Sequence, residues 1–324
     1  MTAMIGQVQV HSTEEQAEVV APWDASLRQI SPGAFEGSMQ FASLNDILVY
    51  RDCWSQRTLA GAALPGDYFM IGGITKPAHG FNWCGKDTDE QRLAIALPDT
   101  QVDFLMPSQT TYVAMILPVR YLNALFGDGE TASTRRSFYH YSCPPGLGER
   151  LLARVSFIID HCLANPGLLE DPTHRDELEL CVIDDLAEID FSLKNVPSRM
   201  PISARRKLLR RALEYGESIR DKISVPQFSE QLKINRRSLE RAFREFLGIT
   251  PRQYLLYRRL HGVHGDLRRL PPRSHHITEV ANNWGFTELG RFSGDYKNLF
   301  GELPRDTLNR STAREPQRLV DLLH

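Results

Sequence analysis

One segment of this chain occurs twice, at a separation of 53 residues. Residues 236–255 read RRSLERAFREFLGITPRQYL, and residues 288–308 read ELGRFSGDYKNLFGELPRDTL. The alignment brings an aromatic residue, a glycine and a proline into register at positions 243 and 296, 248 and 301, and 251 and 304. A repeated pattern of this length predicts two copies of one supersecondary unit in this half of the chain.

The first copy predicts a helix with one apolar face and one basic face. At 100° per residue the apolar side chains fall opposite the arginines. The apolar set is Leu239, Ala242, Phe243 and Phe246, and the basic set is Arg237, Arg241 and Arg244. A shorter amphipathic helix lies just upstream, with Val225, Phe228 and Leu232, and only three residues separate the two helices. This spacing predicts a helix-turn-helix.

Cap residues predict where the helices of each copy end and begin. Gly248 is expected to end the basic helix, and Thr250 with Pro251 to begin a long spacer helix. After residues 271–274 the unit recurs, with a turn at Gly285 and a second helix backed by Phe292 and neighbouring aromatic residues. Two such units on a rigid spacer would enter successive major grooves of DNA, roughly 34 Å apart.

Charge is distributed unequally between the two halves. Residues 201–324 hold 24 Lys and Arg against 14 Asp and Glu, which leaves 14 against 26 for residues 1–200. The C-terminal half therefore carries a net charge of +10 and the N-terminal half −12. A basic half joined to an acidic half predicts that only the former approaches a polyanion.

Residues 205–310 resemble the tandem helix-turn-helix domain of the AraC/XylS family of bacterial transcription regulators. The carriers are SLERAFREFLGITPRQY in the first unit, and VANNWGF followed by RFSGDYKNLFGELP in the second. The resemblance implies an all-α C-terminal domain with two helix-turn-helix units joined by a linker helix. It implies, by layout alone, an N-terminal β-barrel sensor of cupin-like form with a helical dimerisation element.

The resemblance also implies which residues of the first unit meet DNA. The base-reading positions fall on Arg237, Glu240 and Arg241, with Asn235 and Ser238 near the helix start. Arginine suits this role because its planar fork bonds guanine O6 and N7 together. Glu240 could accept a hydrogen bond from cytosine N4 or hold Arg237 and Arg244 in place. Phosphate contacts are expected from Arg236, Arg244 and the helix start at Thr250.

The second unit departs from the first on its outward face. Gly290 and Gly294 occupy the places of Arg237 and Arg241, while Lys297 matches Arg244. Base reading by this helix is therefore expected to be poor, and close approach of the backbone to phosphates is expected instead. The assisting residues are Thr287, Glu288, Arg291, Ser293 and Lys297.

The N-terminal half predicts a different architecture. Short apolar runs punctuated by turn residues from about 35 to 120 predict a β-rich domain in the form of a small barrel. Helical periodicity between 147 and 193, interrupted at residues 165–167, predicts two antiparallel helices that either cover the barrel or form a dimer seam. The expected fold class is α+β, with residues 1–198 as sensing and dimerisation domain, 199–312 as DNA-binding domain and 313–324 as a tail.

Aromatic residues suggest an effector site inside the barrel. The candidate lining residues are Tyr68, His79, Phe81 and Trp83. His79 is the sole histidine between 35 and 125, so neither a metal nor a cofactor is expected there. Cys84 near His79 could form a nucleophile and base pair, but the basic residues near it are sparse, and a structural cysteine is favoured. The protein is therefore not expected to be an enzyme.

Together these patterns predict a DNA-binding transcription regulator, a ligand-responsive activator of a metabolic or virulence operon. The partners expected are double-stranded DNA, a small-molecule effector, RNA polymerase and a second copy of the chain. Two alternatives stay open: a regulator without a ligand, whose N-terminal half is a dimerisation or protein-partner scaffold, and one with a reactive-cysteine activity at Cys84. The N-terminus has no signal-peptide pattern and no apolar run is long enough to span a bilayer, which predicts a soluble, cytoplasmic protein.

Overall fold

The computed structural model describes residues 4–20, 25–64, 66–75, 81–83, 86–87, 92–126, 139–142, 146–189, 204–219, 222–272 and 276–310. The chain divides into two compact units. The first takes its described residues from 4–27 and 36–189, and the second takes them from 28–35 and 204–310. Within the described residues, no helix combines the length and apolar character that crossing a bilayer requires.

The first unit is built mainly from antiparallel strands. The strands are β1 (Met4–Val10), β2 (Ser26–Gln29), β3 (Gly37–Ser43), β4 (Leu48–Trp54), β5 (Thr58–Ala63), β6 (Tyr68–Ile74), β7 (Asn82–Trp83), β8 (Lys86–Asp87), β9 (Arg92–Ala96), β10 (Gln101–Met106), β11 (Thr110–Pro118) and β12 (Tyr139–Ser142). They form a seven-stranded sheet in the order β1-β3-β4-β11-β6-β9-β12 and a five-stranded sheet in the order β2-β5-β10-β7-β8. The expectation of a β-rich N-terminal domain is confirmed. The described strands form two sheets that do not close into one barrel, an arrangement that is broadly consistent with the expected fold class.

Strand β4 lies inside the seven-stranded sheet, between β3 and β11, and both of its faces are covered. Because successive side chains point to opposite faces, Tyr50, Asp52 and Trp54 share one face while Arg51 lies on the other. All three of the former are buried. Arg51 forms a two-pronged ion pair with Asp160, with N–O distances of 2.5 and 3.1 Å.

The helices of the first unit are α1 (Thr13–Val19), α2 (Arg120–Phe126), α3 (Leu147–Ala164) and α4 (Pro172–Ala187), with a 3₁₀ turn at Pro166–Glu170. Helix α3 buries Leu151, Val155 and Ile159 and packs against β3, β4 and β11. The predicted antiparallel helix pair is therefore confirmed, and α3 covers the seven-stranded sheet. The 3₁₀ turn lies at the predicted Asn-Pro-Gly interruption. Proline after Asn165 lacks the backbone N–H that a continuing α-helix would use, so α3 ends there.

The second unit is helical apart from its N-terminal segment. Its helices are α5 (Ala204–Ser218), α6 (Val225–Gln231), α7 (Arg236–Leu247), α8 (Pro251–Arg269), α9 (Ile277–Asn283), α10 (Leu289–Phe300) and α11 (Pro304–Arg310). Helix α8 is the common support, because it contacts α5, α7, α9 and α11. Its two ends belong to separate aromatic clusters, around Phe243 and Tyr254 in the first half and around Tyr296 and Phe300 in the second. The predicted pair of helix-turn-helix units on a linker helix is confirmed.

A segment from early in the sequence, Arg28–Phe35, completes the second unit. Gln29 is 1% exposed, and its Nε2 donates a hydrogen bond to the carbonyl oxygen of Leu299 at 2.7 Å. The carbonyl oxygen of Gln29 in turn accepts from His261 Nε2 at 3.0 Å, and the amide of Gly33 donates to the carbonyl oxygen of Asn298 at 3.0 Å. The sequence pattern gave no sign that residues 28–35 pack with the helices after residue 200.

Candidate DNA-binding and effector sites

The turn of the first helix-turn-helix is held by short-range hydrogen bonds. Ser224 and Gln227 form a reciprocal capping box at the start of α6. The Ser229 hydroxyl donates to the carbonyl oxygen of Ile234, which links α6 to the end of the turn. Asn235 begins α7, and its Oδ1 accepts a hydrogen bond from the backbone N–H of Arg237 at 2.8 Å. The angle at which α7 leaves the turn is thus set by residues of the turn itself.

The rotation of α7 about its axis is set by its apolar side. Leu239, Ala242 and Phe243 have no exposed surface. The Phe243 ring lies 5.2 Å from the ring of Tyr254 and 6.4 Å from that of Phe228. Because this face is buried on α6 and α8, the opposite face of the helix must point to solvent.

That outward face carries the predicted DNA-contacting residues of the first unit. The exposed members are Asn235, Arg236, Arg237, Ser238, Arg241 and Arg244, while Glu240 is half-buried. Arg236 Nε pairs with Glu240 Oε1 at 3.0 Å, and Arg241 Nε lies 4.0 Å from Glu245 Oε2. Of the two roles expected for Glu240, holding Arg237 and Arg244 is not seen among the described residues, where the one-turn spacing brings Glu240 to Arg236.

Arg237 and Arg244 differ from their neighbours in their pairing. Neither has an ion-pair partner among the residues that the structure describes. Both therefore present guanidinium groups whose donors are available to another molecule. Thr250 is engaged in the cap of α8, where its Oγ1 accepts a hydrogen bond from the N–H of Gln253 at 3.2 Å.

The second unit repeats the backbone with a different outward surface. Thr287, Glu288, Arg291 and Lys297 are exposed and Ser293 is half-buried. Ser293 Oγ donates to the carbonyl oxygen of Leu289 at 3.0 Å, and Arg291 Nε lies 3.9 Å from Asp295 Oδ2. Gly290 and Gly294 are exposed, and a Cβ added at either would meet no atom within 4 Å. A smooth strip therefore runs along α10 where α7 carries arginines.

Side chains of helix α8 hold the turn of the second helix-turn-helix unit in place. Arg259 donates through NH1 to the carbonyl oxygen of Gly285 at 3.1 Å, and its guanidinium lies 4.4 Å from the ring centre of Phe286. Asp266 accepts a hydrogen bond from the indole N–H of Trp284 at 2.7 Å. Gly285 itself has φ of 73°, a left-handed conformation that favours glycine.

A cavity of about 50 Å³ lies in the first unit, bounded by side chains of both sheets. Its lining comprises Val20, Ala25, Leu27, Tyr50, Asp52, Trp54, Ala62, Met70, Trp83, Phe104, Met106 and Tyr112. Of the predicted effector residues, Trp83 lines it. Phe81 is buried next to it, with its ring 6.4 Å from that of Trp83, and Tyr68 does not line it. His79 and Cys84 lie outside the described residues.

Asp52 is the one charged residue among the described residues of this lining, and it was not among the residues predicted from the sequence. The signal was present in the stretch LVYRDCW, because the alternation of a strand puts Tyr50, Asp52 and Trp54 on one face. Burial raises the pKa of Asp52 well above its usual value, and the nearby Trp54 indole and the hydrogen bond from Gln16 offset only part of this rise.

A family model described as a helix-turn-helix domain matches residues 228–310. Over 93 residues the chain is 40% identical to an XylDLEGF operon transcriptional activator 2 of Pseudomonas putida, covering 29% of this chain and 59% of that protein. The chain carries an AraC/XylS-type helix-turn-helix domain. A probable thc operon regulatory protein of Rhodococcus erythropolis is also similar, with 36% identity over 109 residues and 33% of each chain covered.

The likeness to curated relatives concerns the AraC/XylS-type domain. The matching region spans about a third of the length of the Rhodococcus protein and 29% of that of a further Pseudomonas putida activator. Among solved structures, the AraC-like transcriptional activator CuxR is similar over 79% of this chain and 94% of its own, with 13% identity and a TM-score of 0.42.

Replacing the exposed glycines of the AraC/XylS-type domain by alanine is expected to raise stability and to weaken DNA binding. Gly294→Ala is expected to stabilise the folded protein by about 0.5–1 kcal/mol, since alanine suits a helix interior better and the space for a Cβ is free. Gly290→Ala is expected to stabilise it by less, because Gly290 lies in the first turn of α10. The same methyl groups are expected to weaken DNA binding, because they hold the helix backbone away from the phosphates. Urea unfolding and fluorescence anisotropy with a labelled duplex measure the two effects.

Gly265→Ala on α8 is the matched control, since its added Cβ would also find room. It is expected to stabilise the protein without weakening DNA binding. If Gly290→Ala and Gly294→Ala bind DNA as tightly as the parent protein, α10 does not lie against the duplex through this strip.

Proposed function

We propose that this protein is a sequence-specific DNA-binding transcription regulator, and that it activates an operon in response to a small molecule. The AraC/XylS-type domain supports DNA binding, and the curated relatives that share it include operon transcriptional activators. The proposal places the protein in the cytoplasm, with its DNA and RNA polymerase. Activation requires contact with the polymerase in addition to DNA.

The observation that carries the proposal is the outward face of α7. Three exposed arginines, Arg237, Arg241 and Arg244, stand on a helix whose other side is anchored by residues with no exposed surface. Arg237 and Arg241 are assigned to base edges, with Glu240 beside them. Arg236 and Arg244 are assigned to phosphates.

The second unit is assigned a different part of the contact. The smooth strip of α10 lies against the sugar-phosphate backbone in this proposal, with Thr287, Arg291, Ser293 and Lys297 around it. Glu288, also exposed, stands at the start of α10. Such contacts fix the register of the protein on the duplex and add affinity that depends on salt, without reading sequence.

The first unit is assigned effector sensing and dimerisation. The cavity that Trp83 lines supports the sensing role. Two large apolar side chains on the helix pair, Phe157 and Leu180, are 65% and 56% exposed. A second copy of the chain would remove this apolar surface from water.

Dimerisation through the helix pair has a direct test. Phe157→Glu and Leu180→Glu are expected to shift the protein from dimer to monomer in sedimentation at micromolar concentration, because a buried carboxylate at the seam is strongly unfavourable. Val119→Glu, at an apolar residue that is 39% exposed in the same unit, serves as control and should leave the dimer intact. If the parent chain sediments as a monomer, or both seam variants remain dimers, this interface is wrong.

The regulatory function is tested by selection followed by a reporter. Full-length protein is used to select fragments of genomic DNA, and the enriched site is placed upstream of a reporter gene. We expect one enriched site and a rise in reporter output when the protein is expressed. Enrichment without sequence preference would overturn the proposal.

A further inference from the structure

The cavity of the first unit combines two features that rarely occur together. Its walls are mostly aromatic and aliphatic, and one carboxyl group, Asp52, is set into them. Asp52 is 3% exposed. Within the described part of the chain no Lys, Arg or His forms an ion pair with it. An isolated carboxylate in such surroundings is strongly unfavourable, so these surroundings by themselves favour the neutral acid.

The carboxyl group of Asp52 is held in place by a side chain outside the cavity lining, Gln16. Gln16 Nε2 donates to Asp52 Oδ1 at 2.5 Å. The other end of the same amide, Gln16 Oε1, is buried and has no hydrogen-bond partner among the residues described. Gln16 therefore fixes the position of the Asp52 carboxyl group, which belongs to the cavity lining. A ligand with an N–H donor would add a hydrogen bond to this carboxyl group.

The aromatic walls of the cavity favour a positively charged ligand, as the carboxyl group does. Tyr50 and Tyr112 lie on strands β4 and β11 with ring centres 6.5 Å apart, and Trp83 stacks on Phe104 at 5.5 Å across the cavity lining. The faces of such rings carry negative potential and attract cations. An anion would meet repulsion from both the rings and the carboxylate. A sugar would find few polar partners for its many hydroxyls.

We infer that this cavity binds a small organic ammonium ion, with Asp52 as counter-ion and the surrounding aromatic rings as walls. The inference rests on the proposed effector-sensing role and names the chemical class of its ligand. The ammonium group donates to Asp52, and its alkyl part contacts Met70, Phe104 and Met106. With a cation in place the carboxyl group ionises, because the ion pair offsets its loss of hydration.

The size of the cavity limits the ligand. A cavity of roughly 10–15 Å³ holds one water molecule. Measured in the same way, the cavity of the first unit has a volume of about 50 Å³. A primary amine of three or four carbon atoms suits this space better than a long chain or a fused ring.

The test compares two probes that match in shape and differ in charge. Propylammonium and 1-propanol have the same length, and their binding to the full-length protein is measured by calorimetry and by thermal shift at constant ionic strength. We expect propylammonium to bind at least about tenfold more tightly, as a charge-assisted hydrogen bond in a buried site requires. Equal binding of the two probes, or binding of neither, would overturn the inference.

Asp52→Asn separates the role of the carboxyl from that of the cavity. The variant keeps the shape of the side chain and is expected to fold, with a melting temperature at neutral pH no lower than that of the parent, because it buries no acid. It should lose at least about tenfold in affinity for propylammonium and keep its weak affinity for 1-propanol. Asp103→Asn on β10, outside the cavity lining, is the control and should bind propylammonium as the parent does.

Two outcomes distinguish this inference from the proposed function. If the full-length protein selects a DNA site but Asp52→Asn leaves propylammonium binding unchanged, the ligand class is wrong and the regulator proposal stands. If propylammonium binds through Asp52 but no duplex is ever selected, the inference stands and the regulator proposal fails. Should Asp52→Asn not fold, the comparison of propylammonium with 1-propanol on the parent protein still decides.

Discussion

Replacing Arg237 or Arg241 by alanine is expected to remove most of the preference of this protein for its own DNA site. A bidentate arginine–guanine contact contributes roughly 1–3 kcal/mol of discrimination, so each variant should lose about 5- to 150-fold in preference at the base pair it reads. Both side chains project from the exposed face of α7, opposite the buried Leu239, Ala242 and Phe243. The two substitutions should therefore leave the melting temperature nearly unchanged.

The control for this prediction is Arg291→Ala in the second unit. Arg291 is exposed and loosely paired with Asp295 at 3.9 Å, and it is assigned to phosphate. Its loss should weaken binding to all duplexes by a similar factor and reduce the dependence of affinity on salt. Competition between the selected site and single-base variants of it measures both effects. An Arg241→Ala protein that retained every base preference would contradict the assignment.

The largest effect on stability is expected from Gly301→Ala. Gly301 ends α10 with φ of 74°, and a Cβ there would lie 2.6 Å from the backbone nitrogen of Ala34. The left-handed conformation alone costs about 1–2 kcal/mol for alanine. The contact with Ala34 adds to this, because the chain at residues 28–35 is tied to Leu299 and His261 by hydrogen bonds and cannot move freely.

Gly248→Ala is the matched variant in the first repeat. Gly248 ends α7 in the same conformation, with φ of 65°. It should therefore lose stability through its backbone conformation, and Gly301→Ala should lose about 1 kcal/mol more. Urea unfolding of the full-length chain measures the difference. A smaller loss at Gly301 than at Gly248 would mean that residues 28–35 do not pack against this helix end.

The helix-turn-helix units were predictable because their determinants are local. Each of these determinants acts within a few residues. They are the helix cap at Thr250, the glycines at 248 and 301 that end helices, and the spacing of Leu239 and Phe243. Because the pattern occurs twice, the prediction of a helix-turn-helix did not depend on any one of these signals alone. The departure at Gly290 and Gly294 was likewise visible in the alignment, and the structure places both at the surface with room around them.

The rest of the fold depends on contacts between residues far apart in sequence. Gln29 is tied to Leu299 across 270 positions, and no periodic pattern in residues 28–35 announces such a partner. The pairing of β4 with β11 joins residues about sixty positions apart and brings Tyr112 opposite Asp52. The alternation in LVYRDCW places Asp52 on one face with Tyr50 and Trp54, but only the pairing of the strands shows that this face and Trp83 line the same cavity.

The central claim is that two helix-turn-helix units on one rigid helix lie along one side of the double helix. Hydroxyl-radical footprinting of the full-length protein on its selected site tests this most directly. We expect two protected stretches about one helical turn, or 10–10.5 base pairs, apart, with base preferences concentrated in the stretch assigned to α7. A single protected stretch, or two that fall on opposite sides of the duplex, would contradict it.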